Sequence, residues 1–172
     1  LYPSAYQARH GLANDCGGQT IAEGIAVAQP GSLTLPVIDD LVSDILLLSE
    51  QDIERAIDLL ITVEKTVTEG AGAAGLAALL AYPERFRGRV VGLILCGGNI
   101  DTRMLSSILM RGLIREGRIT RMRVEISDRP GALAKVAQLV GEAGGNILEV
   151  QHQRNFPGVP AKLAELDLVL ET

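Results

Sequence analysis

A glycine-rich turn directly after an apolar run is the part of this sequence best suited to chemistry. The run covers residues 90–95, and the turn is Cys96-Gly97-Gly98-Asn99. Such a run is typical of a parallel strand buried on both faces, and the two glycines let the backbone turn sharply and approach a ligand closely. Asn99 and Asp101 predict that a helix begins just afterwards. Because ligands bind at this end of parallel strands, the pattern predicts either a ligand site or a plain strand-to-helix turn.

Three further segments precede this turn in order, at residues 20–27, 30–36 and 69–78. Together the four motifs resemble the carboxy-terminal part of the catalytic domain of threonine dehydratases (threonine ammonia-lyases), over about residues 16–117. The resemblance implies an α/β domain of the tryptophan-synthase-β-like fold, fold type II of the pyridoxal phosphate enzymes. The parent reaction would convert L-threonine to 2-oxobutanoate and ammonia. Parents acting on serine, as a dehydratase or a serine racemase, remain alternatives.

The same resemblance implies four cofactor-binding residues: Gly24, Glu69, Cys96 and Gly97. Cys96 matches a Ser or Cys that faces the pyridine nitrogen, where a neutral thiol leaves that nitrogen largely unprotonated and so suits β-elimination. Glu69 matches a glutamate close to the cofactor ring, and Gly24 matches a glycine whose backbone lies beside it. Simpler interpretations stay open, namely a buried cysteine, a carboxylate at a helix amino terminus and ordinary turn glycines.

The resemblance assigns no catalytic residue to this chain. In this family the lysine that forms the Schiff base and the phosphate-binding loop belong to the amino-terminal half. The lysines here are Lys65, Lys135 and Lys162, and none of them matches that position. We therefore expect the 172-residue chain alone to bind pyridoxal phosphate poorly and to have no dehydratase activity. A non-catalytic amino-acid-binding or assembly module is the competing interpretation.

Periodicity predicts alternating helices and strands before residue 117. Ser49 is a helix cap, followed by the stripe Ile53, Ala56, Ile57 and Leu60. The predicted elements are a helix over 36–42 with Pro36 in its first turn, a strand over 45–48, a helix from residue 50 to about 67, a helix over 72–80 ended by Pro83, a strand over 89–95 and a helix over 102–116.

The pattern changes after Gly117, and residues 118–172 read as β-α-β-β. Asp128-Arg129-Pro130-Gly131 follows the first strand, with Asp128 as the expected helix cap and Pro130 in the first turn. This order resembles a truncated ferredoxin-like ACT regulatory domain. It implies an effector site at Asp128, Pro130 and Gly131 for an amino acid such as isoleucine or valine, and a homo-oligomer formed through this domain.

Composition narrows the remaining possibilities. The net charge of −5 and pI near 5.1 argue against a nucleic-acid partner. No apolar stretch is long enough to span a bilayer. Cys16 and Cys96 show no disulfide pattern, which favours a cytoplasmic location. His10 and His152 lack neighbours at metal-ligand spacing, so no metal site is expected.

Overall fold

The computed structural model describes residues 4–13, 17–154, 160 and 162–172. The chain divides into two compact units, Leu1–Leu109 and Met110–Thr172. The division lies earlier than the boundary that we placed after residue 117. Cys16 and most of the loop predicted at 155–160 lie outside the described residues. No helix within the described ranges is long and apolar enough to cross a membrane.

The first unit is helical. Its elements are α1 (Ser4–Arg9), a 3-10 turn (Glu23–Ile25), α2 (Thr34–Leu41), α3 (Glu50–Thr62), α4 (Gly70–Ala81), α5 (Pro83–Phe86) and α6 (Thr102–Arg115), which continues into the second unit. The predicted helices are present, although α3 ends before residue 67 and α2 begins before Pro36. Helix α1 was not predicted because the first residues show no apolar period.

Helix α3 packs against α4 to form the core of the first unit. Ser49 and Asp52 form a capping box at the start of α3, which confirms the predicted cap. The apolar stripe of α3 is buried, with Ile53 and Ile57 fully enclosed. The α4 side of this contact consists of small residues, including Ala73 and Ala77, so the two helix backbones approach closely.

The prediction of two strands in this unit, at residues 45–48 and 89–95, is wrong. Neither segment pairs with another strand in the described chain. The side chains of Val90 and Ile94 are exposed rather than buried on both faces. A strand is defined by hydrogen bonds to a neighbour, and the apolar sequence of each segment cannot supply that neighbour.

Helix α4 carries two glycines that lie against the segment containing Leu93 and Cys96. A Cβ atom built on Gly72 would lie 1.8 Å from the carbonyl oxygen of Cys96. A Cβ atom on Gly75 would lie 3.2 Å from a terminal methyl carbon of Leu93. Gly72 therefore meets backbone that cannot yield, whereas Gly75 meets the flexible end of a side chain. This close approach fixes where the Cys96 turn begins.

The second unit has the predicted β-α-β-β order. Its elements are β1 (Ile119–Ser127), α7 (Ala132–Glu142), β2 (Asn146–Gln153) and β3 (Leu163–Glu171), and the antiparallel sheet has the order β1-β3-β2. Side chains of β3 alternate between two faces. Leu166, Leu168 and Leu170 are buried on the face that α7 covers, where the partly buried Val136 and Val140 pack against them.

The junction between β1 and α7 corrects one prediction. Asp128 does not cap α7, because the N-cap residue is Gly131, with φ of 87° and no capping side chain. Pro130 precedes the helix rather than forming its first turn. The carboxylate of Asp128 instead lies 3.1 Å from Nε of Arg154. The left-handed backbone at Gly131 starts the helix later than the sequence indicated.

The opposite face of the sheet centres on a buried carboxylate. The side chain of Asp167 is only 5% exposed although it lies on the polar face. Arg121 holds it by two hydrogen bonds, one of 2.7 Å from Nε to Oδ1, and Nη2 of Arg123 lies 3.5 Å from Oδ2. The hydrogen bonds from Arg121 lower the pKa of Asp167 below its ordinary value.

We predict that Asp167→Asn lowers the free energy of unfolding of the second unit at neutral pH. The variant should also make this free energy less dependent on pH in the acid range. Because the folded pKa is lowered, the ionised carboxylate contributes stability at neutral pH, and that contribution disappears as the pH falls through the folded pKa. Urea unfolding at pH 7 and pH 3 measures this. Asp128→Asn is the matched control, since Asp128 is more exposed and its ion pair is expected to contribute little. An equal decrease in the free energy of unfolding of the two variants at pH 7 would contradict the role given to Asp167.

Candidate cofactor site

Three separate segments of the first unit meet at one place, at residues 21–24, 69–72 and 96–98. The backbone N–H of Glu69 donates a hydrogen bond of 2.9 Å to the carbonyl oxygen of Gly97. A Cβ atom on Gly70 would lie 2.2 Å from the carbonyl oxygen of Ile21. These contacts join the start of α4 to the two loops on either side of it. The sequence motifs that are distant along the chain therefore form one structural unit.

The side chain of Glu69 lies between two of the predicted glycines. A Cβ atom on Gly97 would be 2.5 Å from Oε1 of Glu69, and one on Gly24 would be 2.9 Å from the same atom. Gly97 also has φ of 72°, which disfavours any other residue. Glycine at both positions leaves the space that this carboxylate occupies. The structure thus brings together three of the four predicted residues, Gly24, Glu69 and Gly97.

An open cleft of about 570 Å³ adjoins this carboxylate. Its lining comes from the first two segments, from the residues that follow Gly98 and from the start of α6, and consists of Ile21, Glu23, Gly24, Glu69, Gly70, Asn99, Ile100, Asp101 and Met104. Oδ1 of Asp101 accepts a hydrogen bond of 2.9 Å from the backbone N–H of Met104. This bond caps α6 and confirms that a helix begins just after the turn.

Cys96 occupies a different position from the other three residues. Its residue surface is exposed, and its carbonyl group is the part that meets α4. Neither Cys96 nor Gly97 is among the residues that line the cleft, but Gly97 adjoins the Glu69 side chain and Cys96 is not shown to do so. The structure therefore places Cys96 at the entry to the turn, and its contact with a cofactor stays a prediction.

Glu50 supports the site and was missed by the sequence reasoning. Its Oε2 atom accepts a hydrogen bond of 3.0 Å from the backbone N–H of Ile21, which holds the segment containing Gly24. Its Oε1 atom is enclosed and has no hydrogen-bond partner in the described chain. Glu50 follows the Ser49 cap, so the sequence indicated a helix start and carried no signal of the distant contact. Gly70 and Gly72, which lie against Ile21 and Cys96, were also missed.

Other candidate groups lie away from this cleft. Lys65 lies beyond the end of α3 with φ of 55°, and its Nζ donates to the carbonyl oxygen of Thr62 at 2.6 Å. The described residues contain no group of three or more His, Cys, Asp or Glu residues suited to a metal ion. Asp128, Pro130 and Gly131 belong to the second unit and form the β1–α7 junction described above.

Comparison with known proteins finds a family match in the first unit and a longer similarity to individual relatives. A family described as "Pyridoxal-phosphate dependent enzyme" matches residues 2–97. The L-threonine ammonia-lyase of Thermotoga maritima is 40% identical over 156 residues, covering 91% of this chain and 39% of the relative. The alignment must therefore include most of the second unit. The chain spans about two fifths of the length of this curated relative.

Two solved structures resemble the chain over part of its length. A threonine deaminase from T.th. has a TM-score of 0.53 at 33% identity, covering 57% of this chain and 36% of that protein. A maize serine racemase has a TM-score of 0.53 at 29% identity, covering 65% of this chain and 36% of that protein. Because this family model matches more than half of the chain, at residues 2–97, the chain belongs to the pyridoxal-phosphate dependent enzymes.

Proposed function

We propose that this chain is the carboxy-terminal portion of an L-threonine ammonia-lyase, which converts L-threonine to 2-oxobutanoate and ammonia. The observation that carries this proposal is that Gly24 and Gly97 both adjoin the carboxylate of Glu69, which lines the cleft. The similarity to the Thermotoga maritima enzyme over both units supports the choice of reaction. Because the chain spans only part of that relative, the activity belongs to the assembled domain.

The cleft fits pyridoxal phosphate on two observations. The glycines at positions 24 and 97 make room for the Glu69 carboxylate at the edge of the cleft, because a Cβ atom at either position would overlap it. The Cys96 backbone is fixed against Gly72, so the position of its thiol is constrained as well. Gly24, Glu69, Cys96 and Gly97 would hold the cofactor. When bound, the cofactor supplies the electron sink for elimination of the substrate hydroxyl.

The roles of the chain's own residues follow from their chemistry. A thiol at Cys96 would hydrogen-bond the pyridine nitrogen without giving it a full proton, which limits charge storage in the ring and favours loss of the hydroxyl. Glu69 would fix the orientation of the ring, because the adjacent glycines and its own N–H bond to Gly97 hold it in place. The loops at 21–24 and 96–99 would exclude water from the two sides of the cleft.

We assign the second unit the regulatory role of an ACT-like domain that binds isoleucine or valine. The β-α-β-β order and the sheet order β1-β3-β2 support this assignment. At the β1–α7 junction, a Cβ atom on Gly131 would meet no atom within 4 Å, so there is open space beside the start of α7. A ligand carboxylate there would meet the amino-terminal N–H groups of α7. Such units associate through their sheets, so the assembled enzyme would be an oligomer.

Serine racemization is the second candidate, because the maize serine racemase matches with the same TM-score as the threonine deaminase. Both reactions would use the same cleft residues. The two differ in product, since elimination releases a keto acid and racemization does not. A non-catalytic amino-acid-binding module would give neither product.

A chimera tests the proposed reaction. In this chimera, the segment of Thermotoga maritima L-threonine ammonia-lyase that matches this chain is replaced by residues 1–172. We expect 2-oxobutanoate release from L-threonine, with a higher kcat/KM for threonine than for serine. Cys96→Asp in the chimera should lower turnover at least ten-fold, a loss of about 1.4 kcal/mol of transition-state stabilisation, and should raise transamination. Cys96→Ser is the control that retains a neutral hydroxyl.

Cofactor absorbance shows that each chimera variant is loaded before turnover is compared. A loaded chimera that interconverts serine enantiomers without releasing keto acid would identify the racemase instead. A loaded chimera without either reaction would contradict both candidates.

The effector assignment predicts that Gly131→Asn removes isoleucine and valine binding. Asn tolerates positive φ better than other residues with a side chain, so the fold should persist while the new side chain fills the open space. Gly144→Asn is the matched control, because Gly144 has φ of 85° and is equally open but lies at the other end of α7. Isothermal titration of the wild-type chain and both variants measures the affinities. Unchanged binding by Gly131→Asn would show that this junction is only a helix start.

A further inference from the structure

One row of side chains on the polar face of the second unit crosses all three strands. Val169 of the central strand β3 pairs with Arg121 of β1 on one side and with Glu149 of β2 on the other. Because neighbouring strands lie about 4.8 Å apart, the backbones at Arg121 and Glu149 are roughly 10 Å apart. The row therefore places a cation and a carboxylate on either side of an apolar side chain.

A β-bulge in β2 puts Glu149 into this row. Ile147 pairs with Leu170 and Glu149 pairs with Val169, so Leu148 has no partner residue on β3. In a regular register Leu148 would lie opposite Val169, since successive residues of a strand take opposite faces. Bulges redirect side chains in this way and are frequent beside functional sites. Here the bulge replaces an apolar side chain on the polar face by a carboxylate.

Arg121 is held in position by the carboxylate beneath it. Its Nε and Nη2 atoms donate hydrogen bonds to the buried side chain of Asp167. The side chain of Arg121 is nevertheless mostly exposed, and its Nη1 atom has no hydrogen-bond partner within the described residues. A guanidinium group has five N–H donors, so one that binds a carboxylate at one edge has donors left for a second. Arg121 is therefore preorganised to bind the carboxylate of a ligand.

Glu149 lies across a depression from Arg121. The depression has a volume of about 140 Å³ and is lined by Arg121, Glu149, Gln151, Asp167 and Val169. Nε2 of Gln151 donates a hydrogen bond of 2.8 Å to Oε1 of Glu149. The hydrogen bond to Asp167 raises the pKa of Arg121, and the charge of Glu149 adds to this rise. Among the described residues, however, no ion pair joins Arg121 to Glu149, so the space between the two charges is open to a ligand.

The two charges match those of an α-amino acid. Its carboxylate and ammonium groups are one carbon atom apart, so a single molecule reaches both sides of the depression. A plain anion would be repelled by Glu149, and a plain cation would be repelled by Arg121. The depression is also much smaller than the roughly 300–1,000 Å³ of pockets that take drug-sized ligands. The ligand class is therefore an α-amino acid with a short, uncharged side chain.

We propose that Arg121 and Glu149 bind the two charged groups of a small α-amino acid on the polar face of the second unit. The carboxylate accepts hydrogen bonds from Arg121, the ammonium group donates to Glu149, and Val169 contacts the carbon atoms between them. Arg121 lies near the start of β1, whereas the β1–α7 junction follows the end of that strand. The site is thus separate from the effector junction and does not depend on the proposed reaction.

Amide chemical shifts of the isotope-labelled 172-residue chain test this site. The probe is L-alanine, and acetate and methylammonium are probes that carry only one of its two charges. We expect L-alanine to shift the amide signals of residues 121, 149 and 169 with a Kd of about 1 mM or tighter. Acetate and methylammonium should bind there at least ten-fold more weakly.

Glu149→Gln is the decisive variant, because Glu149 is exposed and an amide keeps the shape of the carboxylate while removing its charge. It should weaken L-alanine binding at least ten-fold. Glu142→Gln is the matched control, since Glu142 also accepts a hydrogen bond from a glutamine amide, at 2.7 Å from Nε2 of Gln138, but lies on α7. This control should bind L-alanine like the wild type.

Four results would overturn the proposal: wild-type affinity of Glu149→Gln, equal affinities for acetate and L-alanine, shifts confined to residues 128–131, or no shift at L-alanine concentrations well above 1 mM. Equal affinities would identify a plain anion site at Arg121. Shifts confined to residues 128–131 would leave the effector junction as the amino-acid site. L-Alanine binding at residues 121, 149 and 169 beside an inactive chimera would contradict the proposed reaction and leave this site standing.

Discussion

The approach of α4 to the Cys96 carbonyl group is the constraint on which the rest of the first unit depends. Only glycine at position 72 permits this approach, because a Cβ atom there would lie 1.8 Å from the carbonyl oxygen of Cys96. With the backbone fixed there, the next residues turn at Gly97 and accept the hydrogen bond from Glu69. The position of the Glu69 carboxylate, and hence the shape of the cleft, follows from a packing contact at a glycine.

This arrangement explains why the cleft can be formed by so few polar residues. Glu50 holds Ile21, α4 holds the Cys96 turn, and Asp101 caps the helix that follows. In each contact at least one partner is a backbone group, so these loops are positioned mainly through their backbones. The family's chemistry requires a cofactor to be held at a defined orientation, and backbone positioning of this kind provides a rigid wall for it.

Local signals predicted most of the elements, whereas contacts distant in sequence were not predictable. The capping box at Ser49, the stripe of α3 and the alternation of β3 are properties of neighbouring residues, and the structure has all of them. The strands at 45–48 and 89–95 failed because pairing depends on a partner that the local sequence does not contain. Asp128 was assigned as a cap because its residue type suits that role, but the positive φ of Gly131 moved the helix start. The motifs predicted Gly24 and Gly97, while Glu50 carried no signal of its contact with Ile21.

The most direct measurement compares Gly72→Ala with Gly75→Ala, two identical changes in one helix. Alanine favours a helix over glycine by about 1 kcal/mol, so both variants would gain stability if packing did not matter. The account predicts that Gly72→Ala lowers the free energy of unfolding by about 1–3 kcal/mol through backbone overlap, whereas Gly75→Ala is neutral or stabilising because the Leu93 side chain can move. Urea unfolding of both variants beside the wild type measures the difference. Equal stability of the two variants would contradict the claim that Gly72 positions the Cys96 turn.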